Sequence, residues 1–209
     1  MPAAPEGLTP EAFAAATGVS RETLERLHRF DELLLKWQAK VNLIGPGTVP
    51  DRWRRHFLDS AQLAPLAKGA TWTDLGSGAG FPGLVLAAMN VGHVRLHESD
   101  LKKAAFLGEV IRSLGLNAAV EARRIETAEP RPTDVVTARA LAPLAALLGL
   151  AERFCHSGTI LLFPKGQDVH AELTEATKYW RMEVDRLPSR SDPKGVILRI
   201  TRLRRVGQS

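Results

Sequence analysis

DLGSGAGFPGL, residues 74–84, places glycines at 76, 78, 80 and 83 between two apolar runs. A loop this rich in glycine lets a ligand approach the backbone closely. Two registers compete for it. Gly78-x-Gly80-x-x-Gly83 satisfies the dinucleotide fingerprint, and an acidic residue follows about 20 positions later. Asp74-x-Gly76-x-Gly78-x-Gly80 instead puts an acid at a strand end, then a glycine at every second position, with Pro82 suited to an early helical position. This second register suits a nucleoside with an amino-acid tail, which needs no ring of backbone amides around phosphates. No Gly-Lys-Ser/Thr follows, so a P-loop is excluded.

Around this loop, β-type runs alternate with helical ones. The strands are TWTDL (71–75), HVRLHE (93–98), NAAVEA (117–122), DVVTAR (134–139), TILLF (159–163), MEVDRL (182–187) and VILRITRL (196–203). Helices are expected from about 82 and over 102–114, 141–155 and 168–180. The alternation predicts an α/β fold, a mostly parallel sheet with helices on both faces. Only SRSDPKG separates the last two strands, so they are expected to form an antiparallel hairpin at a sheet edge. A seven-stranded sheet closed in this way suits a methyltransferase better than a six-stranded dinucleotide fold.

The chain opens differently. Thr9 and Ser20 are suited to cap two helices, the first with Pro10 at its first position. Leu24, Leu27, Phe30, Leu34 and Trp37 recur at helical spacing, and Gly45, Pro46 and Gly47 end the pattern. A third helix is expected over about 49–66, with Arg52, Arg55, His56 and Asp59 on one face and Trp53, Phe57, Leu58 and Ala61 on the core side. Residues 1–66 then read as a helical extension packed on a core domain of 67–209.

Of 209 residues, 44% are hydrophobic, which fits a globular chain; the formal net charge of +5 favours polyanionic partners. The basic residues cluster in DRWRRHF (51–57), LKK (101–103), ARR (122–124) and TRLRR (201–205). No apolar run approaches a membrane span, and the N-terminus lacks the pattern of a secretion signal. Cys155 is alone, which fits a reducing cytoplasm, and no Cys/His spacing suggests a metal. Glu98 ends the second strand, where a carboxylate accepts ribose hydroxyls.

Taken together, KWQAKVNLIG (36–45), RHFLDS (55–60), DLGSGAGFPGL (74–84), ESDLKKAAFL (98–107), VTARAL (136–141) and FPKG (163–166) resemble the bacterial 16S ribosomal RNA guanine-N7 methyltransferases, also called glucose-inhibited division protein B. The resemblance implies a class I S-adenosylmethionine-dependent fold with an N-terminal helical extension. It implies S-adenosylmethionine as cofactor and 16S rRNA of the small subunit as partner. Carried over by motif, Gly76, Gly78 and Phe81 line the cofactor cleft, Glu98 holds the ribose, and Ile125 and Glu126 flank the adenine. Arg139 sits at the methionine end, near the incoming base.

Guanine N7 carries a lone pair and no proton, so its methylation needs positioning rather than a general base. Arg139, after the fourth strand, is the best candidate for that work; the alternative is an ion pair with an acid such as Asp134. Arg55, His56 and Lys165 are candidate RNA contacts, against the alternatives of a solvated charged stripe and a plain surface lysine. No Asn-Pro-Pro-Tyr-like motif and no catalytic cysteine pair are present, which argues against amino-directed and cytosine-C5 methylation. Two other functions compete: an oxidoreductase using the 78-80-83 register, and a non-enzymatic RNA-binding assembly factor with a vestigial cleft. A monomer suffices for all three.

Overall fold

The computed structural model describes residues 7–207. The chain enters through α1 (Pro10–Thr17) and α2 (Arg21–Gln38). The Thr9 side chain accepts the Ala12 N–H at 3.2 Å and Ser20 Oγ accepts the Thr23 N–H at 3.1 Å, as the capping chemistry predicts. Leu27, Phe30 and Leu34 of the apolar stripe are fully buried.

The third helix is not a uniform α-helix. A 3-10 turn over Pro46–Asp51 leads into a π-turn over Trp53–Leu58, then α3 (Asp59–Ala61) and a 3-10 turn over Ala64–Leu66. The wider π-turn changes which side chains align. The expected four-residue polar face therefore splits. Arg52 turns to buried Asp31 of α2, whereas His56 and Asp59 turn to Arg139. Trp53, Phe57, Leu58 and Ala61 do cover the core.

The remainder alternates as expected: β1 (Thr71–Leu75), α4 (Gly83–Ala88), β2 (His93–His97), α5 (Leu101–Leu114), β3 (Ala118–Glu121), β4 (Val135–Ala138), α6 (Leu144–Ala151), β5 (Ile160–Lys165), α7 (Val169–Ala176), β6 (Trp180–Pro188) and β7 (Val196–Arg205). Two predicted helices are shorter than expected. After α6 the chain continues only as a 3-10 turn to Phe154, and α7 stops at Ala176 because Trp180 already pairs in β6.

The sheet order is β3-β2-β1-β4-β5-β7-β6. The first five strands are parallel, and β7 runs antiparallel between β5 and β6. β1 and β4 are neighbours at which the winding reverses, the place where such sheets bind ligands.

One core joins the N-terminal helices to α4, α5 and one face of the sheet; a second lies under α6 and α7. Phe30 sits at the joint. Its ring lies 5.3 Å from Phe57, 5.2 Å from Phe81 and 6.2 Å from Phe106. Burial of these rings, at roughly 25 cal/mol per Å² of apolar surface, ties the N-terminal segment to the glycine loop that carries Phe81.

Candidate active site

The carboxyl ends of β1, β2 and β4 open on a cavity of about 1360 Å³. The glycine loop forms its floor. Gly76, Gly78 and Gly80 adopt left-handed backbone at φ 67°, 54° and 88°, as the register beginning at Asp74 requires. Gly83 does not share this conformation and has a packing role: a Cβ there would collide with Leu96 and lie 2.7 Å from Asp74 Oδ2. The glycine at 83 thus lets α4 press on the sheet.

Asp74 is fully buried beneath this floor. Its carboxylate accepts Thr137 Oγ1–H at 2.9 Å and the Gly83 N–H at 3.2 Å. Burial raises its pKa to about 6, although these hydrogen bonds oppose the rise. Glu98 follows β2 and is also buried. Its Oε2 accepts the Gly78 N–H at 2.8 Å and its Oε1 accepts the Asp100 N–H at 2.7 Å. The carboxylate is thereby held rigidly, with a free lone pair on each oxygen at the cavity wall. Ile125 (buried) and Glu126 (exposed) lie on the same wall, in the turn after β3. His97, beside Glu98, also lines the cavity; it is fully buried and both ring nitrogens lack a partner among the described residues.

Arg139 closes the other end. Its Nη1 donates to the Arg55 carbonyl at 3.0 Å and to Asp59 Oδ2 at 3.3 Å, and its Nη2 donates to His56 Nδ1 at 2.9 Å. The guanidinium lies 5.4 Å from the centre of the Phe81 ring, and the His56 ring stacks on the same phenyl at 5.0 Å. The expected alternative partner, Asp134, is occupied elsewhere: it accepts the Thr71 N–H at 2.9 Å and the Thr71 hydroxyl at 3.0 Å. An ion pair does exist, but with Asp59, because the N-terminal segment folds over the sheet edge.

His56 is buried, with both ring nitrogens engaged, and so is not presented as a surface cation. Arg55 lines the cavity and its side chain has no ion-pair partner among the described residues. Lys165 lines it too, but it is no plain surface lysine: it donates to Glu172 at 2.7 Å and to the Ala142 carbonyl at 3.1 Å. Thr48 and Ser191 were not legible as site residues. Both sit in ordinary Gly/Pro/Ser loops, and only folding brings Thr48 to 2.8 Å from His56 Nε2 and Ser191 to 2.6 Å from Asp59 Oδ1.

Burial, helped by Arg139 and Arg55, pushes the His56 pKa down to about 3. A depressed histidine contributes stability that is present above its unfolded pKa and lost as pH falls toward the folded value. Asp74 acts in the opposite sense, since its raised pKa favours the fold at lower pH. Comparing wild type with His56→Asn cancels the Asp74 effect. The difference in unfolding free energy should move against wild type by about 3 kcal/mol between pH 7 and pH 4, read by urea titration. A difference independent of pH would refute the assignment of a neutral buried imidazole.

Residues 23–193 match the family model described as rRNA small subunit methyltransferase G. Ribosomal RNA small subunit methyltransferase G of Rhodospirillum centenum is 54% identical over 193 residues, spanning 91% of this chain and 89% of that protein. Its namesake in Paramagnetospirillum magneticum is 52% identical over 94% of this chain and 97% of its own length. Among solved structures, a mutant of MtNAS in complex with S-adenosylmethionine superposes with a TM-score of 0.58 at 15% identity, covering 93% of this chain and 84% of that one. The fold is therefore that of the class I S-adenosylmethionine-dependent methyltransferases. No helix among the described residues is long and apolar enough to cross a membrane. With a family model spanning most of its length and relatives half identical to it, this chain belongs to the rRNA small subunit methyltransferase G family.

Proposed function

We propose that this protein transfers a methyl group from S-adenosylmethionine to N7 of one guanine in 16S rRNA of the small ribosomal subunit, acting as a monomer in the cytoplasm. The observation that carries this reading is one cavity with two unlike ends. A glycine floor and the fixed Glu98 carboxylate form one end, and the clamped Arg139 guanidinium forms the other. Residues 1–66 serve as the helical extension and 67–209 as the catalytic core, and both contribute to this cavity.

The residues present fit the cofactor. The left-handed backbone at Gly76 and Gly78 keeps side chains out of the floor, and the two free lone pairs of Glu98 suit ribose hydroxyls. Ile125 and Glu126, which line the cavity, are assigned to flank an adenine, with Phe81 near Arg139. When bound, S-adenosylmethionine supplies a methyl carbon activated by its sulfonium.

The chain's own work is positioning. Guanine N7 has no proton to lose, so no side chain is required as a base, and neutral His56 is not asked to be one. Arg139 keeps its Nε–H and one Nη2–H without an acceptor among the described residues, and these donors suit the cofactor carboxylate or guanine O6. Arg55 at the cavity wall, and the third N–H of Lys165, are assigned to RNA oxygens.

The test is methyl transfer from labelled S-adenosylmethionine to small subunits and to their naked RNA, both from cells lacking the gene. Strand cleavage at N7-methylguanine maps the product. Label at a single guanine N7 is expected; label at another atom would discard the N7 assignment, and no label on either substrate would discard the enzyme reading.

A further inference from the structure

We infer that His56 is a positioning residue: its Nδ1, kept as an acceptor by a hydrogen-bond chain through Thr48, sets the orientation in which Arg139 meets its ligand. This rests on the methyl-transfer reading above.

The argument begins with donors and acceptors. A guanidinium has five N–H donors and no acceptor, so in its 2.9 Å contact with Arg139 Nη2 the His56 Nδ1 must accept. The imidazole is neutral, as its depressed pKa requires, so its single N–H lies on Nε2. That N–H points to Thr48 Oγ1 at 2.8 Å. The Thr48 hydroxyl in turn donates to the Gly45 carbonyl at 2.7 Å. Every hydrogen in the chain is assigned by this order, and the opposite tautomer would set two donors face to face at Arg139.

The clamp is complete on one side only. Asp59 Oδ2 and the Arg55 carbonyl hold Nη1, and His56 holds one hydrogen of Nη2. The His56 ring stacks on Phe81, and the guanidinium carbon lies 5.4 Å from the centre of the same ring. What remains are Nε–H and the second Nη2–H, two donors without an acceptor among the described residues. Asp59 is itself braced by Ser191 Oγ–H at 2.6 Å and by Gln62 Nε2–H at 3.0 Å, so the acidic arm does not depend on His56. Without the Nδ1 acceptor, the guanidinium is free to tilt about Nη1 and these two donors lose their aim.

Two substitutions separate the nitrogens of the ring. His56→Asn places an amide oxygen close to the position of Nδ1, whereas His56→Gln places its amide at Nε2. With labelled methyl transfer to small subunits, His56→Gln should lower kcat by about 100-fold, the scale of a misplaced positioning group. His56→Asn should recover kcat to within about 5-fold of wild type, because the acceptor for Arg139 is retained. Calorimetry separates the two ligands: weaker binding of S-adenosylmethionine by His56→Gln than by His56→Asn assigns the free Arg139 donors to the cofactor carboxylate, and equal binding assigns them to guanine O6.

Should either His56 variant fail to fold, the Thr48 pair decides. Thr48→Val removes the acceptor for Nε2–H and should cut kcat by about 10-fold, whereas Thr48→Ser restores it. Equal losses in folded His56→Asn and His56→Gln, or wild-type activity in Thr48→Val, overturn the inference. Absence of methyl transfer by wild type would instead overturn the functional reading on which it rests.

Discussion

Gly76→Arg is expected to abolish methyl transfer while the chain still folds. The argument is steric. Gly76 holds φ at 67°, a conformation that costs an L-residue roughly 1–2 kcal/mol. A Cβ at this position would also stand 2.7 Å from Leu141 Cδ1. Leu141 is a partly buried side chain at the cavity wall and can move aside. The fold is therefore expected to survive. The long cationic side chain then occupies the floor on which the cofactor would lie. Calorimetric affinity for S-adenosylmethionine should fall by at least about 100-fold, or ~2.7 kcal/mol. Gly115→Ala is the matching control. Gly115 has φ 59° at the end of α5 with nothing near its missing Cβ, so it carries the strain without the obstruction. It should lose about 1 kcal/mol of stability and keep cofactor affinity. A folded Gly76→Arg protein with wild-type affinity would place the cofactor elsewhere.

Asp31→Ala is expected to produce the largest loss of stability. Asp31 is buried in α2 and accepts Arg52 Nη2–H at 2.8 Å and the Trp53 indole N–H at 3.0 Å. Arg52 Nε also donates to it, so the pair is bidentate. Removing the carboxylate strands a half-buried guanidinium and orphans a buried indole. Breaking such a pair costs about 3–5 kcal/mol, or roughly 10 °C of melting temperature for a chain of this size. The exposed Arg21–Glu25 pair on the same helix provides the contrast, since Glu25→Ala should change stability by less than about 0.5 kcal/mol. Activity should fall with Asp31→Ala as well. Trp53 stacks on Phe57 at 4.3 Å, and this turn carries His56 and leads into Asp59. A melting temperature within about 2 °C of wild type would refute this account of how the N-terminal segment is anchored.

Much of this fold was legible in advance because its signals are local. Thr9 and Ser20 each satisfy an amide within the next turn. The β1 to β5 runs are short, apolar and separated by helical lengths, which leaves parallel crossovers as the natural connection. SRSDPKG is too short for a crossover helix, so β6 and β7 pair antiparallel. The glycine register was also decidable in principle, although the alternation of Gly76, Gly78 and Gly80 competed with a weaker fingerprint through Gly83. In the structure the three glycines at the floor are left-handed, and Gly83 makes room for Leu96 and Asp74.

Sequence alone thus determined the strand order of chemistry: a glycine floor after β1, an acid after β2, an arginine after β4. Tertiary structure alone decided what each group touches. Arg139 lies 80 residues from Asp59 and 83 from His56, and no spacing rule links them. The π-turn sends Arg52 to Asp31 and turns His56 inward, so a stripe that reads as solvated charge becomes a buried clamp. The physical reason is range. Capping, turn chemistry and hydrophobic period act within a few residues and are written in the chain. Ion-pair choice, imidazole tautomer and pKa depend on burial and on partners that arrive only when the N-terminal helices close over the sheet edge.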